Sequence, residues 1–179
     1  EAGVPNRQQA VTIICSVLRR LRTSAQRSEV CGWLIRQLGQ SGSYQLRLLF
    51  AFTCRLLLRG ESPAGCSRHF FKAQAFLQQL LSLAADPVPN VRLTLCFLLP
   101  AVKRTLRLPA DASSLEQLHH AMVALRGDTD VDVRQAASAA EAELNSFEVL
   151  TDGAALRPSA SEGERQGGGR GCGWVKEEG

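Results

Sequence analysis

The sequence predicts an all-α fold, a right-handed α-solenoid of about three and a half stacked helix pairs over residues 4–147, followed by a disordered tail over residues 148–179. Three observations predict this fold. Apolar residues recur at the three- and four-residue spacing of one helical face along most of the chain. Short turns that contain glycine, serine or proline separate these segments. An arginine recurs near the start of alternate helices, at a nearly constant spacing.

The recurring arginine is the clearest sign of an internal repeat. Four arginines carry it, at spacings of 40, 45 and 42 residues: Arg7, Arg47, Arg92 and Arg134. The surrounding residues are also similar, since Asp128–Arg134 repeats the acidic turn and apolar start of Asp86–Arg92, and Val4–Arg7 echoes Val88–Asn90. A period of about 40–47 residues built from helix pairs is typical of HEAT and armadillo arrays.

The helices follow one another with clear start and stop signals. They are predicted over about residues 5–22, 25–38, 44–59, 67–84, 89–106, 111–126 and 131–147. Thr23–Ser24 makes the first turn and can cap the second helix, while Gly39 suits the left-handed position just past a helix end. Pro100 lies inside the fifth helix and should kink it, and Asp111 or Ser113 should cap the sixth.

The repeated motif also predicts contacts between repeats. Asp86 can accept hydrogen bonds from the free N–H groups at a helix start. We expect Arg92 to pair with Asp128 or with Asp132 of the next repeat. The resulting inter-repeat ladder would comprise Asp86, Arg92, Asp128, Asp132 and Arg134, with a structural role rather than a role in partner contact.

Composition limits the class of protein. The chain has 179 residues and a formal net charge of +4, with 45% hydrophobic residues. No apolar run reaches the roughly 18 residues that a membrane helix needs. The repeat pattern is already running at Val4 without a polar capping helix, which predicts a segment of a longer solenoid. The Gly-rich tail has too few apolar residues to offset its ordering entropy, and it is therefore predicted to be disordered.

The residues that carry enzyme chemistry are not arranged in a recognisable motif. The chain has no G-x-S-x-G, no H-E-x-x-H and no phosphate-binding glycine loop before a helix. The three histidines, His69, His119 and His120, have no set of neighbouring ligands for a metal. The six cysteines form no C-x-x-C pair and are expected to be reduced thiols of a cytosolic or nuclear protein. The sequence predicts a non-catalytic protein with no metal and no cofactor.

Basic residues cluster where the first helix of each pair ends. The predicted basic ridge consists of Arg19, Arg20, Arg22, Arg55, Arg59, Lys103, Arg104 and Arg107. Complementarity to the helix dipole explains one or two cations per helix, but three cations in one turn exceed it. The ridge therefore predicts binding of an acidic protein partner. Nucleic acid is the less favoured alternative, because few aromatic residues lie among the cations and the excess charge is small.

Several longer stretches resemble one protein family. They are Arg36–Tyr44, Asp86–Leu93, Leu95–Lys103 and Leu108–Asp111. With them, residues 4–144 are similar to the C-terminal HEAT region of the protein phosphatase 4 regulatory subunit 4 family, and more broadly to phosphatase scaffold proteins. The resemblance implies a non-catalytic cytoplasmic protein that associates with a phosphatase catalytic subunit. The generic motif Asp128–Arg134 and the short Gly-rich tail depart from that family.

Overall fold

The structure is a computed structural model that describes residues 7–59 and 74–151. Its α-helices are α1 Arg7–Arg20, α2 Ser24–Leu34, α3 Tyr44–Arg59, α4 Gln74–Ser82, α5 Pro89–Cys96, α6 Leu99–Thr105, α7 Ala112–Arg126 and α8 Val131–Asn145. A π-helical turn, Ile35–Gly39, extends α2, and a 3₁₀ turn, Leu83–Ala85, extends α4. The predicted all-α class is confirmed. The predicted break at 60–65, the start of the helix at 67 and most of the tail lie outside the described residues.

Pro100 divides the helix that was predicted over residues 89–106. The helix ends at Cys96, and α6 begins at Leu99 with Pro100 in its first turn. Proline has no N–H group and its ring clashes with the carbonyl four residues earlier, which is the carbonyl of Cys96. The predicted kink is therefore present as a break between two short helices.

The first predicted cap is confirmed. Thr23 precedes α2, and its hydroxyl accepts a hydrogen bond from the Gln26 N–H at 3.2 Å. The Gln26 side chain accepts one from the Thr23 N–H at 3.4 Å in return, which completes a capping box. Asp111 does not form the predicted cap of α7. Its carboxylate accepts a hydrogen bond from the Arg107 N–H at 2.7 Å and makes no side-chain hydrogen bond to α7.

The interpretation of Gly39 as a left-handed helix end is wrong. Gly39 lies inside the π-helical turn and packs directly against α4. A Cβ atom at this position would lie 2.8 Å from Cγ of Gln79, closer than real Cβ atoms approach. The Gln79 amide also donates a hydrogen bond to the Gly39 carbonyl at 3.1 Å. A side chain at position 39 would therefore require the Gln79 side chain to move.

Two short strands were not predicted. Strand β1, Arg107–Leu108, follows α6, and strand β2, Leu150–Thr151, follows α8. They pair in parallel, with Arg107 opposite Leu150. The Lys103 ammonium of α6 contacts carbonyls at the end of α8, so α6 and α8 end side by side. The chain leaves both helices in the same direction, as the parallel pairing of β1 and β2 requires. The described start of the predicted tail is thus paired with the rest of the fold.

One apolar core runs through the stacked helices. Phe50 of α3 and Phe76 of α4 are fully buried, and their ring centroids are 4.9 Å apart. The alanine-rich helix α8 packs closely, as its composition requires, with Ala137 completely buried. None of the helices in the described ranges is both long and apolar enough to cross a membrane.

The cysteines within the described residues are free and buried. They are Cys15, Cys31, Cys54 and Cys96. Burial raises the pKa of the Cys15, Cys31 and Cys96 thiols to about 11. At neutral pH these groups are therefore protonated, apolar components of the core, as the sequence predicted for reduced thiols.

Candidate functional site

Two bidentate ion pairs link the start of α3 to the turn before α5, and the start of α5 to the turn before α8. The Arg47 Nε and Nη2 groups donate to the Asp86 carboxylate at 2.5 and 3.0 Å. The Arg92 Nε and Nη2 groups donate to the Asp128 carboxylate at 2.6 and 2.8 Å. Both pairs are nearly inaccessible to solvent, with side-chain exposures of 11% and 3% for the first pair and 11% and 6% for the second. They are two successive rungs of one ladder.

Each ladder arginine is also held by its own helix entry. Arg47, Arg92 and Arg134 each occupy the fourth position of a helix. Each donates Nη1 to the carbonyl six residues earlier, at 2.7, 2.6 and 2.8 Å respectively. This contact fixes the guanidinium in the plane where Nε and Nη2 meet a carboxylate.

Each ladder aspartate has a matching double role. Oδ1 of Asp86 accepts a hydrogen bond from the Val88 N–H at 2.9 Å, and Oδ1 of Asp128 accepts one from the Asp130 N–H at 2.8 Å. The same carboxylates bind the arginine of the preceding repeat. An aspartate three residues before the helix start thus joins the local turn to the preceding helix pair.

The structure distinguishes the two aspartates that the sequence left as alternatives. The partner of Arg92 is Asp128, whereas Asp132 is exposed in the first turn of α8. Arg134 has the ladder conformation, but among the described residues no carboxylate reaches its Nε or Nη2 groups.

Arg7 does not occupy the step that its sequence spacing predicted. Its guanidinium lies 5.5 Å from the centre of the Phe52 ring, beside the C-terminal half of α3 rather than at a ladder position. The arginine that shares the ladder conformation is Arg27, which donates to the carbonyls of Leu21 and Arg22. Its Nε is buried, and no group in the described part of the chain forms a hydrogen bond with it. Arg27 is also the fourth residue of its helix, and that position was the signal in the sequence.

Six cations of the basic ridge are in two different environments. Lys103 donates to the carbonyls of Leu144 and Phe147 at 2.6 and 2.9 Å, so it satisfies the end of α8. Arg104 pairs with Glu143 at 2.8 Å and covers the Phe147 ring. Arg107 donates to the carbonyls at positions 104 and 106. These three cations contact the chain itself, whereas Arg19, Arg20 and Arg22 are exposed at the end of α1.

A basic cavity lies between α1 and α3. Its volume is about 400 Å³, and it is lined by Arg7, Gln8, Val11, Phe52, Arg55, Leu56 and Arg59. Two cations of the basic ridge, Arg55 and Arg59, therefore meet Arg7 at one concave site. No group of three or more metal-ligating side chains occurs within residues 7–59 and 74–151.

The pKa of the Asp128 carboxyl is lowered below its ordinary value of 3.8, chiefly by the hydrogen bond from Arg92, with the Asp130 N–H adding to the effect. Because the folded state binds this proton less tightly than the unfolded chain, the rung contributes fully at pH values above the ordinary pKa. Its contribution will disappear as the pH falls below that value.

Urea unfolding between pH 6 and roughly pH 3 will show a steeper loss of stability for the native chain than for Asp128→Asn.

The control for this pH dependence is Asp132→Asn, which removes an exposed carboxylate four residues away, in the first turn of α8. This variant will keep the steep dependence of the native chain. Equal slopes for the native chain and Asp128→Asn would show that the ion pair does not link folding to this proton.

Stacked helix pairs joined by equivalent Arg–Asp rungs define a helical-repeat protein of the HEAT or armadillo type. No family model matches the chain, and no solved structure matches it. Over 150 residues, 83% of its length, it is 37% identical to human serine/threonine-protein phosphatase 4 regulatory subunit 4 and 39% identical to the mouse protein of that name. The chain is therefore related to the protein phosphatase 4 regulatory subunit 4 family, as its sequence predicted. It spans 16% of the length of these relatives.

Proposed function

We propose that the chain is a non-catalytic regulatory or scaffold segment that binds the catalytic subunit of a Ser/Thr protein phosphatase of the phosphatase 4 type. The observation that carries this proposal is the identity of 37% to 39% with named phosphatase 4 regulatory subunits over 83% of the chain. The proposal includes a cytoplasmic location and a place in the C-terminal region of the longer subunit.

The described geometry supports a scaffold role. The Arg47–Asp86 and Arg92–Asp128 rungs hold consecutive helix pairs at equivalent steps. We propose that the pairs continue as a right-handed α-solenoid of about three and a half repeats. Such a stack presents a long, preorganised surface, so the scaffold loses little conformational freedom when a partner binds.

The test is complex formation between the purified chain and the phosphatase 4 catalytic subunit, measured by biolayer interferometry. We expect saturable binding, and no comparable binding to the catalytic subunit of an unrelated Ser/Thr phosphatase. The longer regulatory subunit is the positive control. If the longer protein binds and this segment does not, the segment is not a contact site and the proposal fails for this chain.

A second candidate function is an adaptor that binds an acidic protein or nucleic acid through the basic ridge. It is supported by five exposed ridge cations that have no ion-pair partner among the described residues: Arg19, Arg20, Arg22, Arg55 and Arg59. Their reversal to glutamate should abolish salt-dependent binding of an acidic partner. Conversion of Lys103, Arg104 and Arg107 to neutral residues should affect binding far less, because these cations already contact the chain itself.

A further inference from the structure

The cavity between α1 and α3 concentrates positive charge, and the part of its lining that lies within residues 7–59 and 74–151 contains no carboxylate. Three of its seven lining residues are arginines, and none of the seven is acidic. Among the described residues, Arg7, Arg55 and Arg59 form no ion pair. Arg55 and Arg59 are four residues apart on α3, a spacing at which like charges destabilise a helix. A bound anion would relieve this repulsion.

The three arginines share the lining of the cavity with apolar side chains. Arg7 lies over the Phe52 ring, which positions the flat group while its N–H edge stays available for a second contact. Val11 is buried, and Leu56 and Phe52 are half-buried beside it. The site thus combines an anchor for an anion with a surface for an adjacent apolar side chain.

We propose that this cavity binds a phosphorylated side chain of a protein partner, with a neighbouring apolar residue of the partner against Phe52 and Leu56. A phosphate monoester carries a charge of about −1.5 to −2 at neutral pH and offers three acceptor oxygens. These properties match three guanidinium groups better than one carboxylate, which has a single charge and two oxygens. The volume of about 400 Å³ is sufficient for one such side chain with part of its neighbour.

The test uses the full chain and a fluorescein-labelled ten-residue peptide with one phosphoserine followed by leucine, measured by fluorescence anisotropy. The same peptide with serine, and with glutamate, in place of phosphoserine provides the comparison. We expect the phosphopeptide to bind roughly tenfold or more tightly than either, because charge-assisted hydrogen bonds to the extra oxygens are lost in both. Equal binding of the glutamate peptide would overturn the assignment to a phosphate.

The cavity variant is Arg55→Glu with Arg59→Glu, and its matched control is Arg36→Glu with Arg126→Glu, which makes the same charge change at exposed positions outside the cavity and outside the basic ridge. The first should lose roughly tenfold or more in phosphopeptide affinity, and the second less than about threefold, because distant exposed charges are screened. The neutral variant Arg55→Gln with Arg59→Gln, together with thermal unfolding of each protein, separates lost binding from lost folding.

Two results would contradict the proposal. One is an equal loss of affinity in the cavity variant and the control, which would indicate general attraction to positive charge. The other is displacement of the phosphopeptide by a short single-stranded DNA of equal affinity, which would indicate a nucleic-acid surface. No phosphatase is present in this assay, so its outcome is independent of the proposed regulatory function.

Discussion

Replacing Arg92 with alanine will lower the free energy of unfolding by about 3 kcal/mol. The substitution leaves the Asp128 carboxylate with 6% of its side chain exposed and without its two charge-assisted hydrogen bonds. It also removes the donor that satisfies the Asp86 carbonyl at 2.6 Å. An uncompensated buried charge costs more than the ion pair contributes, so most of the loss comes from the group left behind.

Urea denaturation of the native chain, Arg92→Ala and Arg134→Ala will measure this effect. Arg134 is the matched control, because it occupies the same helix position and bonds to the same carbonyl six residues earlier, yet pairs with no carboxylate among the described residues. Its replacement should cost less than about 1 kcal/mol. Equal losses for the two variants would show that the rung itself adds nothing to stability.

A double-mutant cycle will isolate the pair. Arg92→Ala together with Asp128→Ala should be less destabilising than the sum of the two single substitutions, because neither charge then remains without its partner. Strict additivity would mean that the two groups do not interact in the folded protein.

Replacing Phe50 with alanine will cost about 3–5 kcal/mol, since it leaves a cavity in the core. Phe50 has no exposed surface, and its ring lies 4.9 Å from that of Phe76, across the contact between α3 and α4. The loss combines the buried area of the ring, the cavity and the aromatic pair. The two helices of one pair should therefore separate more easily, which lowers the cooperativity of unfolding.

Phe97→Ala provides the control for this substitution. Phe97 is 64% exposed at the break between α5 and α6, so its removal should change stability by less than about 0.5 kcal/mol. Thermal and urea unfolding of both variants will check the difference. A similar cost for the two would contradict the position of Phe50 in the core.

The helix positions follow closely from local sequence signals. Helix α3 has the predicted bounds, Thr23 forms the predicted cap, and Pro100 interrupts its helix. These features depend on hydrogen bonds and steric contacts between residues within about four positions of each other, so they can be predicted from the sequence. The repeating Arg and Asp positions of the ladder are local in the same sense, because each occupies a fixed place relative to a helix start.

These local sequence signals do not predict which carboxylate pairs with each ladder arginine. Asp128 and Asp132 were equivalent candidates for Arg92 until the turn before α8 directed the first carboxylate toward α5 and left the second in solvent. Likewise, Arg7 has the spacing of a ladder arginine but lies over Phe52, beside the C-terminal half of α3. Sequence spacing alone does not determine where α1 packs on α3.

The sequence by itself determined that this chain is a stack of amphipathic helices, where most of them begin and end, and which family it is related to. The tertiary structure decided which cations are neutralised by contacts within the chain and which form no ion pair with another described residue. Lys103 and Arg104 contact the end of α8, whereas Arg55 and Arg59 meet Arg7 at an open cavity. The physical reason is that charge neutralisation depends on distances between residues about 40 positions apart, which only the packing of the helices sets.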